Sequence, residues 1–280
     1  MFAFIFGHIL AIGIGLSLGL IGGGGSILAV PILIYVIGLT PKTAIAMSLA
    51  VVGIVSAIGA IPHGLNGNVK LGVAAIFTPP AMVGAYLGAR LASLPIISER
   101  FQLLCFGVIM VLASLLTIRK GRRVESSPSQ TPFLPISPKL SQASKLANFS
   151  ILSPPLPILK RGLSMLAVPL QGFGVGVLTG FVGVGGGFLI IPALVLLGGL
   201  PMKEAIGTSL VIIALNSMSG LLGYLGHVEL DWKLLISFTF AASCGTIIGA
   251  WLSRSIDARH LQTGFGYFVL IVAGFILFQR

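Results

Sequence analysis

Residues 15–39 read GLSLGLIGGGGSILAVPILIYVIGL, and residues 176–200 read GVLTGFVGVGGGFLIIPALVLLGGL. A shift of 161 places Gly22, Gly24 and Gly25 on Gly183, Gly185 and Gly186, and Pro31 on Pro192. The same ungapped register carries Lys42 onto Lys203, Ser48 onto Ser209, Ser56 onto Ser217, and Phe77-Thr78 onto Phe238-Thr239. It gives 24 identities over the 77 positions from 15 to 91. A register that keeps Pro, Lys and Ser as well as Gly reads as an internal duplication.

Composition sets the solvent. Of 280 residues 56% are hydrophobic and 8% charged, and mean hydropathy is +1.08. A soluble domain carries roughly 25% charged residues, so a soluble enzyme, a nucleic-acid-binding domain and a disulfide scaffold are excluded. Apolar stretches fall at about 2–22, 26–39, 43–62, 71–94 and 101–118, and again at about 163–182, 187–200, 205–226, 233–253 and 261–279. The predicted fold is an all-α polytopic membrane helix bundle of two homologous repeats. Each repeat opens with a broken Gly-rich helix, and about eight stretches span the bilayer.

Three regions follow: a first membrane repeat over 1–118, a linker over 119–161 and a second membrane repeat over 162–280. The linker holds eight Lys/Arg against one acid, Glu125, which is seven of the eleven net positive charges. Seven prolines and many serines accompany them, a composition that cannot bury a core. Short basic loops stay cytoplasmic, so the charge is read as a topology signal, with no nucleic-acid partner. Linker and both termini are expected on the cytoplasmic side of the cell membrane.

The breaks point to function. Residues 2–39 as one helix would reach about 57 Å at 1.5 Å per residue, against a hydrocarbon core of roughly 30 Å. The cluster Gly22-Gly23-Gly24-Gly25-Ser26 interrupts the first repeat, and Gly183, Gly185, Gly186 and Gly187 interrupt the second. Broken backbone at membrane depth is tolerated only inside protein or beside a cavity. A glycine there lets an anion approach the amides that begin the next helix. No lysine follows either cluster as a phosphate-binding loop would require. Gly15/Gly19/Gly23, Gly172/Gly176/Gly180, Gly84/Gly88 and Gly245/Gly249 have the spacing of helix-packing glycines instead.

Six acids, Glu99, Glu125, Glu204, Glu229, Asp231 and Asp257, lie in loops or at segment ends, so no mid-membrane carboxylate offers a cation site. His63 and His227 end their segments and read as interfacial. Uncharged polar side chains are the better candidates for an anion: Ser48, Thr208 and Ser209, then Ser56, Asn216 and Ser217 on the same helices. The serines recur at i and i+8, on one helix face. Catalytic residues, metal sites and cofactors are not expected: no HExxH, GxSxG or paired carboxylates occur, and Cys105 and Cys244 have no CxxC spacing. If the clusters bring bare backbone to the anion, Gly24→Ala and Gly185→Ala should express normally and lose uptake, and Gly84→Ala should lose less.

The paired glycine clusters, each followed by an apolar stretch and a proline, and the segments Ala44 to Ser48 and Ala205 to Ser209 resemble the TauE/SafE-type sulfite exporter family of integral membrane permeases. The resemblance covers nearly everything outside 119–161, and the linker is longer than the family's usual connection. It implies a multi-pass permease for a small anion such as sulfite or an organosulfonate, with the lipid bilayer as its other partner. Alternating access between the two repeats is the expected mechanism, with an anion channel as the alternative and an intramembrane enzyme as a more distant one. Self-association into a homo-oligomer is left open.

Overall fold

The computed structural model describes residues 2–94, 96–125, 158–183, 185–196 and 200–253, with 267, 270 and 274. Among them the regular structure is helical: α1 Phe2–Ile21, α2 Ser26–Pro31, α3 Pro41–Leu65, α4 Leu71–Ser93, α5 Glu99–Glu125, α6 Ile158–Val182, α7 Gly187–Leu196, α8 Met202–Tyr224 and α9 Trp232–Leu252. Helix therefore takes up both ends of the expected linker. Its middle, 126–157, and most of the expected last apolar stretch lie outside the described residues.

Local chemistry sets several ends. Pro41 opens α3 at a position where its missing N–H costs nothing. Asp231 caps α9, its Oδ1 accepting from the Lys233 and Leu234 amides at 3.0 and 3.1 Å. Pro31 cannot donate to the turn before it, and α2 widens after it into π-helical turns over Ile32–Val36. The Ile37 amide there reaches back five residues to the Ile32 carbonyl at 3.2 Å.

Among the described residues five helices are long and apolar enough to cross a membrane: Phe4–Ile21 of α1, then α3, α4, α8 and α9. Shorter apolar helical stretches occur at Ser26–Val36, Arg100–Leu112 and Val168–Val182. α3 and α8 are the most enclosed of these five, 72% of each apolar span being buried, and they pack on each other. Around them α1 packs on α9 and α4 on α6, so each outer pair joins a helix from before the linker to one from after it.

Glycine makes those outer seams. On α1, Gly15 and Gly19 lie against the carbonyls of Ala242 and Thr246, while Gly245 and Gly249 of α9 face those of Ile12 and Leu16. In the other seam Gly84 and Gly88 meet the Phe173 and Val177 carbonyls, and Gly172, Gly176 and Gly180 meet those of Phe77, Ala81 and Ala85. A methyl at any of these would push backbone from backbone. The packing reading of these spacings holds, except that Gly23 belongs to the break.

Candidate functional site: two glycine breaks packed face to face

α1 ends at Ile21 and α2 begins at Ser26; α6 ends at Val182 and α7 begins at Gly187. The two interruptions meet inside the bundle. A Cβ on Gly23 would stand 2.6 Å from the Gly187 Cα, so the chains touch there backbone to backbone. Gly22, Gly23, Gly24, Gly25 and Ser26 are buried, as are Gly183, Gly185, Gly186 and Gly187. The chain turns left-handed at Gly22 (φ 77°) and at Gly183 (φ 78°), a conformation that costs an L-residue roughly 1–2 kcal/mol.

A helix that stops inside protein leaves carbonyls without partners, and the opposite part of the chain supplies donors. Ser209 of α8 donates to the Gly22 carbonyl at 2.7 Å, and Ser48 of α3 donates to the Gly183 carbonyl at 2.5 Å. Each hydroxyl shares its hydrogen with its own helix, at Ile206 and Ile45 respectively. The isoleucines also cross: Ile206 packs on Gly22 and Ile45 on Gly183. Both serines are fully buried. At the second break Gln102 of α5 donates to the Phe181 carbonyl at 2.8 Å and to the Tyr224 hydroxyl at 2.9 Å.

The remaining expected residues divide. Ser26 turns back to the Gly23 carbonyl at 2.8 Å, and Gly25 packs on the Ile14 carbonyl of α1. Gly24 accepts from the Ile27 amide at 3.4 Å, and Gly186 accepts from the Leu189 and Ile190 amides at 2.9 Å. Thr208 is taken up by the 66–70 loop, where its hydroxyl accepts from the Lys70 amide at 2.9 Å. Beside that loop Lys70 pairs with Glu204 at 3.1 Å. A cavity of about 440 Å³ opens there, lined by Val69 to Val73, Leu200, Pro201 and Glu204.

Two expected mutant outcomes need correction. Gly185 has φ 67°, and a Cβ there would sit 2.7 Å from Val52 and 2.9 Å from the Ser217 hydroxyl. Gly185→Ala therefore strains the backbone and is no neutral probe. Gly84→Ala drives a methyl into the Phe173 carbonyl, so it damages the α4–α6 seam rather than serving as the milder control.

Sequence reasoning also passed over Thr179 and Gln102. Asn216 donates to the Thr179 hydroxyl at 2.6 Å, Thr179 donates in turn to the Gly176 carbonyl at 2.9 Å, and the Thr179 methyl lies against Gly186. The available signal was a lone amide or hydroxyl in an apolar run.

Several apolar spans around a buried pair of helix breaks define a multi-pass helical membrane protein. The family model for "Sulfite exporter TauE/SafE" matches residues 8–276. A "Probable membrane transporter protein" of Xylella fastidiosa (strain 9a5c) is 32% identical over 269 residues, covering 95% of this chain and 92% of the relative. The "Probable membrane transporter protein YdhB" of Bacillus subtilis (strain 168) is 26% identical over 264 residues, covering 94% and 96%. No solved structure matches the chain. The chain belongs to the TauE/SafE sulfite exporter family, a family of membrane transporters.

Proposed function

We propose that the protein carries a small, sulfur-containing anion such as sulfite or an organosulfonate across the cell membrane, with the two glycine breaks as the place where the anion is held. The observation that carries this reading is the backbone contact between Gly23 and Gly187, deep in the bundle. Glycines at two helix starts give an anion access to amides and to the positive ends of the helix dipoles. The absence of buried Lys, Arg, Asp or Glu among the described residues favours neutral donors over charge pairing.

The architecture proposed is two repeats related by the 161-residue shift, with about eight spans in all. Its support is the reciprocity of the contacts. Ser48 to Gly183 is the shifted counterpart of Ser209 to Gly22, and the α4–α6 seam is the counterpart of α9–α1. Repeats that clasp each other's breaks are suited to rocking about the site, which is alternating access. The basic linker and both termini are assigned to the cytoplasm on the positive-inside rule. Reporters fused at 140 and after Arg280 should both read cytoplasmic, and a periplasmic signal at either would end that topology.

The test of function is uptake of radiolabelled sulfite, methanesulfonate and chloride into proteoliposomes of the purified protein. Saturable uptake of a sulfur anion, accelerated by the same unlabelled anion inside, is expected. Unsaturable flux without that acceleration would mean a channel, and no uptake beyond empty liposomes would overturn the reading.

A further inference from the structure

We propose that the anion is seated off-centre, at the second break, where Ser217 hydrogen-bonds it beside Gly185. This rests on the carrier reading above and adds which of the two breaks holds the cargo and which side chain does so.

A serine inside a helix ordinarily donates its O–H to the carbonyl three or four residues earlier. Ser26, Ser48, Thr179 and Ser209 all do so, so their hydrogens are engaged. Ser217 is fully buried and its Oγ has no hydrogen-bond partner. That oxygen lies 2.9 Å from the point a Cβ on Gly185 would occupy. It therefore lies against the break at the point where Gly185 carries no side chain. A buried hydroxyl without a partner costs stability, and a ligand that accepts its hydrogen removes the cost.

The surroundings distinguish this break from the first. The chain is left-handed at Gly183, Gly185 and Gly186, but only at Gly22 in the first cluster. α7, ten residues long, starts from the second break, whereas α2 runs only six, ending at Pro31. Asn216, next to Ser217, gives one amide N–H to Thr179 and has a second to offer an anion, while its Oδ1 can only accept. The shifted counterparts of Asn216 and Thr179 are Val55 and Leu18, which offer an anion nothing. The ligand is a small oxyanion bound by neutral donors. Val52 and Ile213 occupy the gap in this closed arrangement, so the anion enters as α3 and α8 part.

Ser56, the shifted counterpart of Ser217, supplies the control. It too is fully buried and without a partner, so alanine at either serine removes a hydroxyl that holds nothing in the fold. Both variants should melt at or above the wild-type temperature. For labelled sulfite entering proteoliposomes, Ser217→Ala should raise KM about tenfold or more, the loss expected for a hydrogen bond to a charged group; Ser56→Ala should stay near wild type. Equal losses would put the anion midway between the breaks, and a larger loss for Ser56→Ala would put it at the first break. No change in either would remove Ser217 from the site. Each result overturns the inference while leaving the carrier reading standing. Failure of the wild-type protein to take up sulfite or methanesulfonate would overturn both.

Discussion

At the first break the chain turns left-handed once, at Gly22, and the register positions of Thr179 and Asn216 hold Leu18 and Val55. At the second it does so at Gly183, Gly185 and Gly186, flanked by Thr179 and Asn216. What the two share is the means of holding a severed helix inside protein: a serine donated to the free carbonyl and an isoleucine laid on the left-handed glycine, both from the other half of the chain. What they do not share is the hydrogen-bonded pair Asn216–Thr179, matched in the first half by Val55 and Leu18. The shared part meets a structural need that any buried helix end has. The unshared part meets no such need at one atom, since the Asn216 oxygen bonds nothing in the protein. Difference between duplicated sites is thus the better guide to function here.

The equivalence is tested most severely at the left-handed glycines. Alanine at Gly22 or at Gly183 adds the strain of a positive φ, about 1–2 kcal/mol. It also crowds the Cα of Ile206 or Ile45, which would stand 2.9 or 3.0 Å away, adding about 1–3 kcal/mol of overpacking. Both variants should lose most of their folded protein in detergent, and to similar degrees; tolerance at one alone would break the comparison.

The serine clasps come next. Ser48→Ala and Ser209→Ala each leave a buried carbonyl without its donor, a loss of about 1–3 kcal/mol. Thermal melts of the two should fall together. A fall in only one would mean that the breaks are held differently. Smallest is the Lys70–Glu204 pair, with Lys70 half exposed. Lys70→Gln should change stability by less than about 1 kcal/mol, and any effect should shrink as salt rises.

Much of this was legible in the sequence because spacing alone encodes it. The glycines of the seams recur every four residues, and the breaks are glycine clusters in stretches too long for one helix. The serines at 48 and 209 were legible as polar positions facing inward, but their partners were not. A hydrogen bond between residues 135 or 187 apart depends on which helix crosses which break. Gly84 misled for the same reason: its spacing reveals a seam, whereas how tightly Phe173 closes on it is a property of the packed pair. Thr208 stood with Ser48 and Ser209 among the expected anion contacts, yet α8 turns Thr208 toward the 66–70 loop.

The off-centre seat is tested most directly by locating an anion in the protein. A structure determined with selenite, a heavier analogue of sulfite, should show one selenium signal beside Gly185, with an oxygen about 3 Å from the Ser217 hydroxyl and none beside Ser56. Equal signals at the two serines, or a signal confined to the cavity beside Lys70 and Glu204, would contradict it.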